Sequence, residues 1–267
     1  GRSRREKKLS VHDRSRNSFC SALIVVLTEP ALANGPFVGA IYTPDEEVGD
    51  CHAFCQLLAE RLTASGRCDW QLGQAVTGIR HANGSVNAIE LGEQVLPVDQ
   101  LVIAAGHRSP LLHLPGLQLP LYPLKGYSLT VPISASHQAP DVSITDYDRK
   151  IVYARIGAQL RVAAMVDIVG FDPSIDPRRL ALIKRQARDT FPDAGDYDRA
   201  VEWAGMRPAT PSGVPLLGAT AYRNLWLNLG HGALGFTLAC GSGRLLSELI
   251  GQRQPSIDLH GFTPRAA

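Results

Sequence analysis

The stretch that most constrains the fold is NLGHGALGFTLACGSG, residues 228–243, where an apolar run gives way to a helical pattern through closely spaced glycines. Within it, Gly230, Gly232 and Gly235 have the G-x-G-x-x-G spacing of a dinucleotide-binding turn. A Rossmann turn is followed by a helix, a second strand and an acidic residue for the ribose about 20 residues on. Only 32 residues follow Gly235, and the predicted helix 235–250 takes about half of them. The sequence therefore predicts a strand–turn–helix corner of a different kind.

This corner has the properties of a ligand site. A helix that starts there directs its free N–H groups and its positive dipole end away from the strand. Glycines in the turn let a flat or anionic group approach the backbone, and Ala239, Gly241 and Gly243 keep one side of the helix thin. Close packing of the helix on a strand, with no ligand, explains the same residues. Both interpretations stay open from the glycine spacing alone.

Composition allows a sizeable core and gives no sign of a charge-driven partner. The chain has 267 residues, of which 45% are apolar, and a net charge of +2, enough for one large or two smaller domains. Residues 1–16 hold seven Lys and Arg against two acids, which is typical of a disordered arm and less often of a nucleic-acid site. The other residues carry 20 basic and 23 acidic side chains, so we expect no nucleic-acid partner.

The cysteines indicate neither a disulfide framework nor a metal site. Five irregularly spaced cysteines are too few to stabilise a fold of this length. Cys51 and Cys55 share one face of a predicted helix, but no matching pair supplies two further ligands for a metal. We therefore expect free thiols and no metal.

An apolar segment near the start resembles a signal peptide only in part. Residues 19–27 are apolar, and Ala31-Leu-Ala33 has the small-residue pattern of a cleavage site. Glu29 and Pro30 interrupt the pattern before that site, and no stretch reaches the roughly 20 apolar residues of a membrane span. We predict instead a short buried strand over 22–27 and a cytoplasmic protein.

Hydrophobic periodicity predicts a mixed α/β fold that contains two kinds of unit. Strands are predicted over 74–80, 85–91, 94–97, 101–105, 126–131, 151–155, 159–166 and 224–229. Helices are predicted over 51–64, with a stripe of Phe54, Leu57, Leu58 and Leu62; from Pro177, with Leu180, Ile183, Ala187 and Phe191 inward; and over 235–250. The run 101–105 is apolar on both faces, which favours a central parallel strand. The strands between 107 and 204 are typical of an antiparallel sheet.

Several motifs in a fixed order resemble the D-amino acid oxidase and dehydrogenase superfamily. They are Glu29-Pro-Ala-Leu32, Asp45–Cys51, Tyr122–Val131, Gly170-Phe-Asp172, Gly205–Gly213 and Asn228–Gly243. The resemblance runs from about residue 29 to 265 and implies an FAD-dependent enzyme that oxidises D-amino acids to 2-oxo acids and ammonia. A hydride passes from the substrate Cα to flavin N5. In the dehydrogenases the electrons go on to a quinone of the respiratory chain, which allows peripheral association with the inner face of the plasma membrane.

One part of the family pattern is absent. The family begins with a strand, a G-x-G-x-x-G turn and a helix for the FAD pyrophosphate, and residues 1–36 do not resemble them. The resemblance thus implies an incomplete FAD-binding layered α/β domain over 29–106 and 205–267. An antiparallel substrate-binding domain is expected over 107–204, and a disordered basic extension over 1–28. A truncated or inactive fragment, a non-catalytic remnant, and an amine oxidase of glycine or sarcosine type are the alternatives.

The resemblance also implies site residues. Arg207, in a Gly-x-Arg-Pro motif, is the expected ligand of the substrate carboxylate, because a guanidinium fork meets a carboxylate with two charge-assisted hydrogen bonds. The residues expected to bind FAD are Gly230, His231, Gly232, Gly235, Phe236, Thr237, Val76, Ala105 and Gly106. Val76 is expected at the adenine, and core packing is an equal alternative for Ala105 and Gly106. His231 is expected to brace the turn rather than act as a base, and Thr237 has helix capping as its alternative. The scheme needs no catalytic acid or base, because the lone pair of a neutral substrate amine drives hydride loss.

Three further residues have two interpretations each. Tyr127 and Tyr153 are either walls of a pocket or core tyrosines, and we favour the core. Lys125 is a candidate partner for an acid at the rim of the pocket, and the sequence does not decide it.

Overall fold

The computed structural model describes residues 18–21, 25, 28–33, 37 and 39–262. The strands are β1 (Ser18–Ser21), β2 (Gly39–Tyr42), β3 (Gly78–Ala82), β4 (Ser85–Leu91), β5 (Gln94–Pro97), β6 (Leu101–Ile103), β7 (Tyr122–Pro132), β8 (Ile144–Asp146), β9 (Ile151–Ile156), β10 (Gln159–Asp167), β11 (Val201–Ala209), β12 (Leu216–Ala219) and β13 (Leu225–Leu229). The helices are α1 (Cys51–Ala64), α2 (Pro177–Thr190) and α3 (Gly235–Ile250). The mixed α/β class predicted from the sequence is confirmed.

These strands form four sheets. The largest has five strands in the order β11-β7-β10-β9-β8, and the others have the orders β12-β13-β6, β3-β4-β5 and β1-β2. β13 pairs in parallel with β6, with Leu225 opposite Leu101 and Leu227 opposite Ile103. The predicted central parallel strand is therefore present, although it ends at Ile103 rather than Ala105.

The chain divides into two compact units. One takes in the described residues up to Asp50 together with 128–164 and 177–202, and the other takes in 51–127, 165–176 and the described residues from 203 onward. The assignment of an FAD-binding domain to 29–106 and 205–267, and of a substrate domain to 107–204, stays a prediction.

The first unit has its core between α2 and the antiparallel strands β9 and β10. Leu180, Ile183 and Ala187 of α2 are at most 1% exposed, so the predicted inward face is correct. Just beyond the helix, the Phe191 ring meets the Tyr153 ring edge-on, with centroids 4.9 Å apart. Tyr153 is thus a core residue, as favoured from the sequence.

The second unit contains two apolar clusters. One surrounds β6 and β13 and consists of Val86, Ile103, Leu114, Leu216, Tyr222, Leu225, Leu227 and Leu229. The other joins α3 to the opposite side of the β12–β13 pair through Leu217, Leu245 and Leu246. The apolar run before the glycines is therefore a central strand because residues pack on both of its sides.

Three expectations need correction. The strand predicted over 74–80 starts at Gly78 rather than Gln74. Val25 is helical, not extended, while most of the predicted strand 22–27 lies outside the described residues. The extension 1–28, expected to be disordered, includes β1, which pairs with β2. The helix α1 spans the predicted residues; none of them is buried, and Phe54, Leu57, Leu58 and Leu62 of its apolar stripe are 37–58% exposed.

Three further observations concern the thiols, the metal-ligating side chains and the helices of the described residues. The thiols of Cys55, Cys68 and Cys240 are free. Within the described residues, no group of His, Cys, Asp and Glu is arranged to hold a metal ion. Over the same residues, none of the helices has the length and apolar character needed to cross a bilayer.

Candidate functional site

The glycine corner follows β13 and has a backbone that other residues adopt with difficulty. Gly230 and Gly232 have φ values of +81° and +54°, in the left-handed region that favours glycine. A Cβ on Gly230 would lie 2.7 Å from the Thr210 Cγ2 atom and 3.1 Å from the Leu121 Cδ2 atom. Gly230 is thus required for both conformation and space. A short 3-10 turn, Gly232–Leu234, then leads directly into α3.

The start of α3 is open. No side chain caps its N-terminus, so no side chain competes with a ligand for the first N–H groups of the helix. Phe236 and Thr237 are exposed. A Cβ on Gly232, Gly241 or Gly243 would meet no atom of the described structure within 4 Å. The backbone is therefore accessible to a ligand at Gly232 in the turn, and at Gly241 and Gly243, which lie about 200° apart around the helix.

His231 braces the corner. Its Nε2 atom lies 2.9 Å from the Oγ atom of Ser242, which is on the second turn of α3. Its backbone forms an isolated antiparallel bridge with Ala209 at the end of β11. Burial lowers the pKa of the His231 imidazole below its ordinary value, because desolvation penalises the charged form. A neutral, hydrogen-bonded imidazole suits the bracing role expected of it.

Arg207 is a half-buried cation on β11. Its Nη1 atom donates a hydrogen bond to the Met165 carbonyl oxygen at 3.3 Å, and no carboxylate among the described residues pairs with it. Burial alone lowers the pKa of its guanidinium. Because a partly desolvated charge is stabilised by a counter-ion, Arg207 is suited to binding an anion.

The bridge between Ala209 and His231 brings Arg207 near the glycine corner. Arg207 and Ala209 are two positions apart on the same strand, a separation of about 7 Å. Ala209 itself lies opposite His231 of the turn. The expected carboxylate ligand and the expected ring-binding turn are therefore neighbours in the tertiary structure.

Ala105 and Gly106 reach the same edge of the β12-β13-β6 sheet. Because β6 and β13 run parallel, the turn at Ala105 and the turn at Gly230 both follow carboxyl ends of neighbouring strands, the position where α/β sheets bind ligands. Gly106 has a φ of +55° and opens a 3-10 turn. Val76 precedes β3 and is 39% exposed.

Sequence reasoning missed the role of segment 165–176. Lys125, only 2% exposed, donates from Nζ to the Asp172 Oδ2 atom at 3.2 Å and to the Ser174 carbonyl oxygen at 2.8 Å. The Tyr127 hydroxyl donates to the Asp167 Oδ2 atom at 3.0 Å, and Tyr127 is buried. The Gly-Phe-Asp motif at 170–172 marks this segment in the sequence, but it does not identify the residues of β7 that the segment contacts, because they are distant in sequence.

Comparison with known proteins places these features in a family context. A sequence profile of the family described as FAD dependent oxidoreductase (DAO) matches residues 14–249. The chain is 66% identical over 255 residues to a protein named D-amino acid dehydrogenase 2 from Pseudomonas aeruginosa, covering 96% of this chain and 61% of that protein. It is 46% identical to a D-amino acid dehydrogenase from Paramagnetospirillum magneticum, covering 88% of this chain and 56% of that one. The chain thus spans less than two thirds of the length of these curated relatives.

Solved structures share the fold. Glycine oxidase from Geobacillus kaustophilus has a TM-score of 0.83 at 22% identity, and the match covers 94% of this chain and 67% of that chain. L-proline dehydrogenase from P. horikoshii has a TM-score of 0.81 at 14% identity, covering 93% and 68% of the two chains. At these identities the likeness concerns the backbone architecture.

Proposed function

The chain belongs to the FAD-dependent oxidoreductase family, and from this premise we propose that it contributes to an enzyme that oxidises D-amino acids to 2-oxo acids and ammonia. Two relatives that it resembles at 66% and 46% identity are named D-amino acid dehydrogenases. The observation that carries the proposal is the half-buried Arg207 guanidinium, which has no acidic partner among the described residues and lies beside the glycine corner.

The described residues of the corner fit a flavin. The Cβ positions of Gly232, Gly241 and Gly243 are open, and the start of α3 carries no side-chain cap. FAD, when bound, supplies the hydride acceptor of the reaction. The main-chain N–H groups of 235–237 would face the ring edge, where a helix N-terminus favours negative charge. His231 would hold the turn in place through Ser242.

Arg207 would bind and orient the substrate. A planar guanidinium binds a carboxylate with two parallel hydrogen bonds, which fixes the direction of the molecule as well as its position. The proposal assigns no acid or base to a second group of the ligand. The scheme requires none, because a substrate amine that is bound neutral has a lone pair that drives loss of the hydride from Cα.

Two finer points belong to the same proposal. We infer a quinone or another respiratory-chain carrier as electron acceptor, supported by the name dehydrogenase that both relatives carry. A cytoplasmic site of action, with peripheral contact to the inner face of the plasma membrane, follows from that acceptor. Residues 107–204 as substrate domain, and 29–106 with 205–267 as FAD domain, complete the proposal.

The test uses the full-length protein reconstituted with FAD. Anaerobic addition of D-alanine should bleach the visible flavin absorption, and L-alanine should not. Adding a soluble quinone afterwards should restore the absorption. Bleaching by glycine or sarcosine in preference to D-alanine would replace the proposal with an amine oxidase of that type, and no bleaching by any of them would refute it.

A further inference from the structure

Arg207 reaches its position by crossing a neighbouring strand. In the five-stranded sheet, β7 lies between β11 and β10. Arg207 is on β11, and the carbonyl that accepts its hydrogen bond belongs to Met165 of β10. The guanidinium therefore passes over β7, and it does so at Gly126, where any Cβ would overlap the guanidinium atoms.

Gly126 is needed here for space and not for conformation. It is absent from the glycines that have a positive φ, so an alanine could adopt its backbone. A methyl group at this position would nevertheless occupy the volume that the guanidinium fills. The missing side chain of Gly126 is what allows a charged group to lie against β7.

Met165 has an unusual backbone conformation at the point where it meets Arg207. Its φ is +66° within β10, a left-handed backbone that costs a residue other than glycine free energy and is often found at functional sites. Carbonyls of a regular strand bond to the neighbouring strand, whereas the Met165 carbonyl accepts the Arg207 side chain. The unusual backbone of Met165 thus coincides with the one main-chain partner of the guanidinium among the described residues.

We propose that Gly126 and Met165 are positioning residues that fix the Arg207 guanidinium for a single carboxylate ligand. This inference rests on the proposed function. An arginine has five N–H donors, and Met165 occupies one Nη1 donor, while the rest have no partner in the described part of the chain. The hydrogen bond to the Met165 carbonyl and the close contact with β7 at Gly126 fix the plane of the guanidinium. Its remaining N–H donors then point in fixed directions, which bidentate binding requires.

The attachment of segment 165–176 to β7 keeps Met165 in place. Lys125 and Tyr127 flank Gly126 in sequence. Lys125 donates a hydrogen bond to Asp172, and Tyr127 donates one to Asp167. The strand that leaves room for the guanidinium therefore also holds the segment whose carbonyl orients it. The buried Lys125 and Tyr127 therefore act on Arg207 indirectly, because they hold the segment that contains Met165.

The first test measures binding of pyruvate, a carboxylate product of the proposed reaction, to the full-length FAD-loaded protein by isothermal titration calorimetry. Gly126→Ala should raise the Kd roughly 10- to 100-fold, since a displacement of about 1 Å in a positioning group has an effect of that order. In an Arg207→Ala background the same substitution should cause little further change. An equal loss in both backgrounds would show a general structural role and overturn the proposal.

The second test separates the Met165 backbone from its side chain. Met165→Gly keeps the carbonyl and tolerates a positive φ, so pyruvate binding should be retained. Met165→Val opposes a positive φ because its β-branch is restrictive, so binding should weaken as it does in Gly126→Ala. Equal affinity of the two Met165 variants would contradict the positioning role. If Gly126→Ala does not fold, as judged by far-UV circular dichroism, the Met165 pair decides the question.

Failure of this inference and failure of the proposed function give different results. If Arg207→Ala alone leaves the pyruvate Kd unchanged, Arg207 is not the carboxylate ligand, and the proposed function loses its main support. If Arg207→Ala weakens binding while Gly126→Ala and Met165→Val do not, the arginine binds the ligand and only the positioning role is wrong.

Discussion

His231 and Ser242 are joined across the glycine corner, with the His231 Nε2 atom 2.9 Å from the Ser242 Oγ atom. His231 belongs to the turn, and Ser242 is a buried residue of α3. This is the hydrogen bonding that the sequence led us to expect of His231. It couples the direction of the helix start to the conformation of the turn.

Ser242→Ala removes this coupling. We predict that it lowers the free energy of unfolding by about 1 kcal/mol, the usual net value of one buried hydrogen bond, and that it weakens FAD binding. Urea denaturation and flavin titration measure the two effects. Ser247→Ala is the matched control on the same helix, because the exposed Ser247 hydroxyl donates only to the Arg244 carbonyl. A control variant as unstable as Ser242→Ala would contradict the bracing role.

The lowered pKa of His231 predicts a pH dependence of stability. Its ordinary value is 6.5, and burial lowers the pKa in the folded state, so the unfolded chain binds more protons below that pH. Stability should therefore be complete above pH 6.5 and should fall as the pH drops below it. His231→Gln should reduce this slope, while His107, whose pKa is lowered by burial and by Arg108, retains part of it. If the parent protein and His231→Gln lose stability with falling pH at the same rate, His231 does not contribute to this pH dependence.

Arg207 should determine the affinity for the substrate. In the FAD-loaded full-length protein, we predict that Arg207→Lys raises KM for D-alanine sharply, and that Arg207→Ala loses roughly 2–5 kcal/mol of substrate binding, because a partly buried charge pair is broken. Steady-state kinetics measure both. Arg61→Lys, on the exposed surface of α1, should leave them unchanged. Unaltered kinetics in both Arg207 variants would remove this residue from the site.

Asp172 should stabilise the segment that carries Met165. The Ser174 backbone N–H, the Ser174 hydroxyl and the Lys125 ammonium lower the pKa of Asp172 to about 2. Its contribution to stability is therefore present above pH 3.8, the ordinary value, and is lost as the pH falls toward about 2. Asp172→Asn should lower the urea midpoint at pH 7, because the buried Lys125 loses its counter-ion.

The control for Asp172 is an exposed ion pair. Arg188 and Asp198 lie 2.7 Å apart with side chains 43% and 80% exposed, and such pairs contribute little. Asp198→Asn should leave the urea midpoint close to that of the parent protein. If Asp198→Asn lowers the urea midpoint as much as Asp172→Asn does, the effect comes from the loss of a negative charge in general and not from the contact with Lys125.

Glu29 should be sensitive to a nearly isosteric change. It is 4% exposed, and its carboxylate accepts backbone N–H bonds from Ala31, Asp141 and Val142 at 3.1, 2.6 and 3.1 Å. In Glu29→Gln one oxygen becomes an NH2 group, which cannot accept. We predict a loss of about 1–3 kcal/mol in the free energy of unfolding. Glu46→Gln, at an exposed position, should have no measurable effect in the same denaturation experiment.

Local patterns predicted most of the elements, because they depend on neighbours in sequence. The helix bounds 51–64 and 235–250 were predicted correctly, as were the strands 85–91 and 94–97. Periodicity also identified the buried face of α2. For α1 the same periodicity identified an apolar stripe, which is exposed in the structure. A stripe shows which face of a helix can be buried, and it does not show which element buries that face.

The sequence by itself determined the strand–turn–helix corner, its glycines and the candidate arginine, because backbone conformation and residue chemistry are local properties. Only the tertiary structure decided that Arg207 crosses β7 at Gly126, that Met165 meets it from β10, and that the turns at Ala105 and Gly230 share one sheet edge. Those relationships depend on the order and direction of strands. Strand pairing joins residues tens of positions apart, and hydrophobic periodicity contains no information about which strands become neighbours.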